Sequence, residues 1–172
     1  LKKLSVPRSR TDQTASDRFI GKKLSEEMLR GRMLGIDYGE VRIGLAISDP
    51  TGTIASPIAA IEATGTGDPE TIVDIAAERE VLTIVVGLPL SLDGSHGPAA
   101  RKVTAFCARL RKITTLPVIA WDERMTTVEA QSLLRAAGHS PTKVRGAERG
   151  RVDSASAAII LTAYMQSLTD VE

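Results

Sequence analysis

Residues 81–90, VLTIVVGLPL, constrain the fold more than any other stretch of this chain. The run is apolar with hardly a break and rich in β-branched side chains. A strand wetted on one face alternates polar and apolar residues, so a continuous run of this length reads as a strand covered on both faces. That is the habit of parallel strands in α/β proteins. A second such run, LPVIAW, occupies 116–121. Between them Val103, Phe106, Cys107 and Leu110 recur at i, i+3, i+4 and i+7, one face of a helix. Strand, helix and parallel strand form a right-handed crossover unit, which commits the chain to a layered sheet with helices packed on it.

The sequence upstream has a different rhythm. MLGIDYG at 33–39 is a short apolar run ending in Asp37 and Gly39. VRIGLAISD follows after Glu40, with Val41, Ile43, Leu45 and Ile47 at period 2. One tight turn separates the two runs, so they read as a hairpin. Ser56 to Ile61 supply a third strand. TGTGDPE then gives a loop, with Asp68 as N-cap and Pro69 at the first helical position. The helix it opens should bury Ile72, Ile75 and Ala76. Beyond residue 121, Thr126 and Glu129 have capping-box spacing for a helix that buries Ala130, Leu133, Leu134 and Ala137 and ends at Gly138. The breaker-rich stretch 140–151 reads as a loop. A last helix is expected from near Asp153, with Ala157, Ile160, Leu161, Tyr164 and Leu168 inward. The order β-β-β-α-β-α-β-α-α predicts an α/β fold with a mixed five-stranded sheet whose first three strands are antiparallel.

Composition sets the outer bounds. With 42% hydrophobic but only 3% aromatic residues, the core must be built of Ile, Val, Leu and Ala. No apolar run approaches the roughly 20 residues that span a bilayer, so no membrane partner is expected. One cysteine, Cys107, excludes a disulfide framework within the chain and a cysteine-based zinc site. Its place on the apolar stripe of a helix makes it a small buried hydrophobe, and the setting is expected to be cytoplasmic. Residues 1–32 carry 9 Lys/Arg and 4 Asp/Glu, whereas 33–172 carry 13 and 17. The chain therefore divides into a polar, basic N-terminal arm over 1–32, expected to be flexible, and a mildly acidic folded domain over 33–172. Any affinity for nucleic acid must come from local clusters rather than bulk charge.

Three acidic positions stand out by placement. Asp37 closes the first strand, Glu123 follows Asp122 just past the Trp121 strand, and Asp153 opens the final helix. Functional groups of open α/β sheets gather beyond strand ends. If the first strand and the Trp121 strand lie side by side, Asp37 and Glu123 converge and Asp153 can join them. Converging carboxylates repel, and a divalent cation relieves the repulsion. Mg²⁺ takes oxygen ligands and keeps waters and substrate phosphates, and a pair of such ions clamps an in-line phosphoryl displacement. Each acid alone has an ordinary structural explanation. Asp37 serves as a turn residue, Asp153 as a helix cap, and Asp122-Glu123-Arg124 as a surface ion-pair cluster. Their shared placement is what argues for chemistry.

Lys143, Arg145, Arg149 and Arg151 crowd the stretch before Asp153, with Glu148 the single acid among them. A cationic loop beside a metal site suits a polyanion backbone; a solvated loop is the plainer alternative. Arg42 and Arg124 are placed to reach the same phosphates. The aromatics are scattered, which argues against base-stacking platforms. Ser95 and His96 fall in a Gly- and Pro-containing loop that matches no phosphate-loop signature.

GIDYGEVRIGLAISD (35–49), VVGLPLSLDGS (85–95), WDERMTT-EA (121–130) and VDSASAAIIL-AY (152–164) occur in order and at familiar spacing. Over 33–172 the chain resembles the YqgF/RuvX family of bacterial pre-16S rRNA nucleases and Holliday junction resolvase-like proteins. The resemblance implies a ribonuclease H-like fold and a metal-dependent nuclease using Mg²⁺ or Mn²⁺, acting on precursor rRNA or branched DNA. It also implies that Asp37, Glu123 and Asp153 are the catalytic, metal-holding acids, with Asp122 as a fourth candidate. Ser156 stands where the family usually has alanine.

Three other readings compete. A junction resolvase must cut two strands with two sites related by a two-fold axis, hence as a homodimer, whereas an rRNA nuclease can act as a monomer. A non-catalytic assembly or transcription factor would keep the scaffold alone. An actin- or hexokinase-like ATPase shares the Asp-x-Gly hairpin of Asp37-Tyr38-Gly39, but closes two such domains around its nucleotide, more than 172 residues supply.

Overall fold

The computed structural model describes residues 31–125 and 147–169; the other residues, and the side chains of 147–152, lie outside that description. Strand β1 runs Arg32–Tyr38, β2 Arg42–Ser48 and β3 Ala55–Glu62. Helix α1 follows at Asp68–Glu78, then β4 at Val81–Leu88, helix α2 at Pro98–Ile113 and β5 at Val118–Asp122. A 3₁₀ turn takes up Glu123–Met125, and α3 spans Ala147–Thr169. The sheet order is β3-β2-β1-β4-β5. β1, β2 and β3 are antiparallel neighbours, while β4 lies parallel to both β1 and β5. This is the expected mixed five-stranded sheet. The helix expected over 126–137 and the basic positions Lys143 and Arg145 fall outside the described residues, as do residues 1–30.

Period 2 assigns the strand residues to two faces. Leu34, Ile36, Ile43, Leu45, Ile84 and Val86 pack against Ile72 and Ala76 of α1 and against Val103, Phe106, Cys107 and Leu110 of α2. The opposite face carries Met33, Ala46 and Val85 against Ala157, Ala158, Ile160, Leu161 and Tyr164 of α3. The expected stripes of α1, α2 and α3 therefore face the sheet, Ile75 and Leu168 only partly buried, and β4 is covered on both faces as its composition requires.

Three expectations need correction. α3 starts at Ala147, not near Asp153. Ala147, Glu148, Arg149 and Arg151 are good helix formers, and they carry Gly150 at a cost of about 1 kcal/mol. Arg149 and Arg151 therefore lie on the helix rather than in a loop, and Asp153 sits inside it rather than capping it. β5 is less buried than its composition suggests, because it is the last strand in the sheet order and only Val118 is fully enclosed. Finally, Asp68 is the first helical residue, after Gly67 at the cap. Its carboxylate turns back to accept bonds from the Thr64 backbone N–H (2.7 Å), the Thr64 hydroxyl (2.7 Å), the Gly65 N–H (3.0 Å) and the Tyr38 hydroxyl (3.1 Å). The Tyr38 ring in turn stacks on Phe106, with centroids 4.1 Å apart. These contacts pin the end of β1 one residue after Asp37.

Candidate active site

β1 and β5 are not neighbours; β4 separates them. Asp37 and Glu123 come together nonetheless, because β4 has a glycine at the level where a side chain would intervene. Gly87 lies one step beyond the Ile36–Val86 register pair. A Cβ there would stand 2.6 Å from Glu123 Oε1 and 2.5 Å from Ile160 Cδ1. The Glu123 carboxylate thus lies over β4 in the space a side chain would fill, and reaches toward Asp37.

A second glycine admits Asp153. Gly44 is the register partner of Asp37 on β2. A Cβ on it would run into the backbone carbonyl of Asp153. Gly35, two residues before Asp37 on the same face, makes similar room, since a Cβ there would lie 2.8 Å from the Ala157 carbonyl oxygen. α3 therefore rests almost directly on the β1–β2 backbone at this end of the sheet, with Asp153 beside Asp37. Sequence reasoning named the three acids and missed the glycines that let them meet. The signal was present: Gly35, Gly44 and Gly87 each interrupt an apolar strand where glycine otherwise weakens the sheet, the mark of a close approach by another group.

The electrostatics show the convergence. Burial pushes the Asp37 carboxyl up to about 6, and the nearby negative charge of Asp153 adds to the rise, while a hydrogen bond from the Ser156 hydroxyl works against it. Burial likewise lifts Glu123 to about 7, helped by the charges of Asp37 and Asp122. Among the described residues, the charged groups acting on these two acids are acids themselves. Ser156, one helical turn beyond Asp153, is thus brought into the site at the position where it departs from the family pattern.

Asp122 behaves differently. Arg124 donates Nε to both of its carboxylate oxygens (3.0 and 3.1 Å) and Nη2 to Oδ2 (2.7 Å), which holds Asp122 below the usual carboxylate range. It borders the acidic centre as a paired charge. Arg42 opens β2 at the same end of the sheet as Asp37 and is half-buried. Ser95 and His96 lie in the loop after β4; the Ser95 N–H is bonded to Asp93, and the His96 carbonyl accepts from Arg101. Cys107 is buried in the core, and burial raises its thiol.

Among the described residues, no three His, Cys, Asp or Glu side chains stand in ready-made metal-holding geometry. The three acids are electrostatically coupled without closing on a common point. Their donor chemistry nevertheless suits a hard divalent cation: oxygen ligands only and, among the described residues, two carboxyls raised by burial and by neighbouring acids.

A family model described as "RuvX: Holliday junction resolvase" matches residues 31–167. A protein of Anaeromyxobacter sp. (strain Fw109-5) named "Putative pre-16S rRNA nuclease" is 43% identical over 135 residues, covering 78% of this chain and 96% of that protein. A protein of the same name from Nocardioides sp. (strain ATCC BAA-499 / JS614) is 45% identical over 140 residues, covering 78% of this chain and 86% of its own length. Among solved structures, Thermus thermophilus RuvC in complex with a Holliday junction superposes with a TM-score of 0.52 at 14% identity, covering 81% of this chain and 96% of that one. The likeness to RuvC at so low an identity is one of fold, and it matches the ribonuclease H-like arrangement seen in the sheet.

Proposed function

The chain belongs to the RuvX family, and on that premise we propose that it is a metal-dependent nuclease that hydrolyses phosphodiester bonds at the Asp37–Glu123–Asp153 centre. The observation that carries the proposal is the convergence over Gly44 and Gly87 of two half-buried carboxyls, lifted to about 6 and about 7 by burial and by neighbouring acids, Asp153 for Asp37 and Asp37 with Asp122 for Glu123. Leaving two such groups uncompensated is costly, and strongly shifted carboxyls in one place are a mark of function. Asp37, Glu123 and Asp153 would hold Mg²⁺ or Mn²⁺, with Asp122 at the border. When bound, the cation supplies charge for the phosphate and an activated water at neutral pH.

The chain's own residues do the rest. β1 and α3 fix Asp37 and Asp153 through backbone packing at Gly44. Gly87 leaves the opening over β4 through which Glu123 reaches them. The Ser156 hydroxyl, turned toward Asp37, favours the charged form of its carboxylate. Arg42, together with Lys143, Arg145, Arg149 and Arg151, supplies positive charge for the nucleic-acid backbone. Residues 33–172 form the nuclease domain and 1–32 a basic arm. No helix among the described residues is long and apolar enough to cross a membrane.

The name shared by the relatives favours precursor 16S rRNA, cut during ribosome biogenesis, as the substrate. Resolution of four-way DNA by a dimer is the second reading, favoured by the description of the family model. One assay decides. A precursor 16S rRNA fragment and a four-way DNA junction are incubated side by side with the protein and Mg²⁺ or Mn²⁺, with Asp37→Asn as control. The expected result is cation-dependent cleavage of the RNA that Asp37→Asn abolishes. Cleavage of the junction alone supports the resolvase, and equal activity in Asp37→Asn refutes the site.

A further inference from the structure

An arginine next to a nuclease's acids invites assignment as a phosphate contact, but the guanidinium of Arg124 is already engaged. Nε and Nη2 form a fork on Asp122. Nη1 reaches back to the loop after β4, to the carbonyls of Ser91 (3.5 Å) and Leu92 (3.3 Å). The Arg124 backbone N–H also binds Asp122 Oδ1 at 3.0 Å. A guanidinium has five N–H donors, and this set engages three or four of them although the side chain stands at the surface. The loop it meets is folded on itself: the Ser91 N–H binds the Ser95 carbonyl (3.1 Å) and the Gly94 N–H binds the Ser91 carbonyl (2.8 Å). Gly94 has a φ of +83°, and a Cβ built there would meet the Arg124 guanidinium at 3.5 Å. Glu123, the residue that crosses Gly87, is held between Asp122 and Arg124, the two members of this fork.

We propose that Arg124 is a positioning residue: it braces the Glu123 turn against the 89–97 loop, fixing the direction of Glu123 and the shape of the loop beside it, and makes no phosphate contact. The proposal rests on the nuclease reading for its effect on cleavage, but not for its effect on the loop. A point charge cannot replace the brace, because the fork on Asp122 and the reach to two carbonyls need the planar, five-donor group.

The test uses the full chain and a labelled precursor 16S rRNA fragment. Affinity is measured against salt in an Asp37→Asn background, where no cutting intervenes. Losing one phosphate contact lowers the slope of log affinity on log salt by about 0.7 on single strands and about 0.9 on duplex. Arg124→Ala is expected to leave that slope unchanged. In the otherwise native chain it should lower kcat by about 100-fold, the scale of a misplaced catalytic group, with KM within about twofold. Arg124→Lys should fail to restore kcat. Adding Asp122→Asn to Arg124→Ala should cost little more, since both break the same fork. Amide exchange at Ser91 and Gly94 should quicken in both Arg124 variants.

A reduced salt slope, a loss confined to KM, or full activity in Arg124→Lys would overturn the proposal. If Arg124→Ala does not fold, Arg124→Lys decides alone: a brace is lost with lysine, whereas a phosphate contact survives it. If the native chain cuts neither RNA nor DNA, the nuclease reading fails, and the exchange at Ser91 and Gly94 still judges the brace. Unchanged exchange there refutes it.

Discussion

At the scale of single residues, the site is a place where the fold is held at a cost to its own stability. Asp37 and Glu123 stand at about 6 and about 7 in the native chain, against ordinary values of 3.8 and 4.5. Between those limits the folded state retains protons that the unfolded state has released. The contribution of these two groups to stability is therefore fullest below about pH 4, falls as pH rises through the window, and levels off above about pH 7. Asp37→Asn removes one of the two strained charges. A tenfold change in a proton's affinity for its carboxylate corresponds to about 1.4 kcal/mol. With partial solvent access allowed for, the variant is expected to be more stable than the native chain at pH 7.5 by on the order of 1 kcal/mol, a few degrees in Tm. The gain should shrink toward zero as pH falls to about 4. Melting curves in a chelator across that range check this, and a variant that melts lower than the native chain at pH 7.5 would contradict it.

At the scale of elements, the glycines assign different work to different strands. Gly44 meets backbone: a Cβ there collides with the Asp153 carbonyl, which moves only if α3 moves. Gly87 meets the ends of two flexible side chains, Glu123 and Ile160. Gly44→Ala is accordingly expected to destabilise the fold by about 3 kcal/mol or more, the upper range of overpacking. Gly87→Ala should cost about 1 kcal/mol and yet lose cleavage, because the new methyl takes the space of the Glu123 carboxylate. Denaturant midpoints and cleavage rates on both variants check the contrast; a Gly87→Ala protein with full activity would show that Glu123 need not cross β4. The same glycines mark where sequence reasoning reached its limit. Periodicity exposed the strands, the stripes of α1 and α2 and the inward face of α3, because burial acts on each element separately. It could not show that β4 separates β1 from β5, because strand order is a non-local property that no single element's pattern records. The start of α3 was misplaced for a related reason. Lys143, Arg145 and Gly146 and the charges that follow look like a loop, while the propensity of 147–152 and the packing of the rest of α3 extend the helix backward through Gly150.

At the scale of the whole molecule, Asp37 and Glu123 were legible because they sit at strand ends, and Asp153 because it follows a breaker-rich stretch, although it lies inside α3 rather than at its start. Ser156 and Gly87 were not legible as site residues: one looks like a substituted alanine and the other like a flaw in a strand, until the helix and the 3₁₀ turn are laid over the sheet. Everything proposed for the site requires that Asp37, Glu123 and Asp153 form a single cation-binding centre. Calorimetric titration of the native chain with Mn²⁺ at pH 7.5, repeated on Asp37→Asn, Glu123→Gln and Asp153→Asn, decides whether they do. Saturable binding by the native chain is expected, with affinity at least about tenfold weaker in each variant, about 1.4 kcal/mol apiece. Native affinity retained in all three variants, or no binding by the native chain, would refute a shared centre.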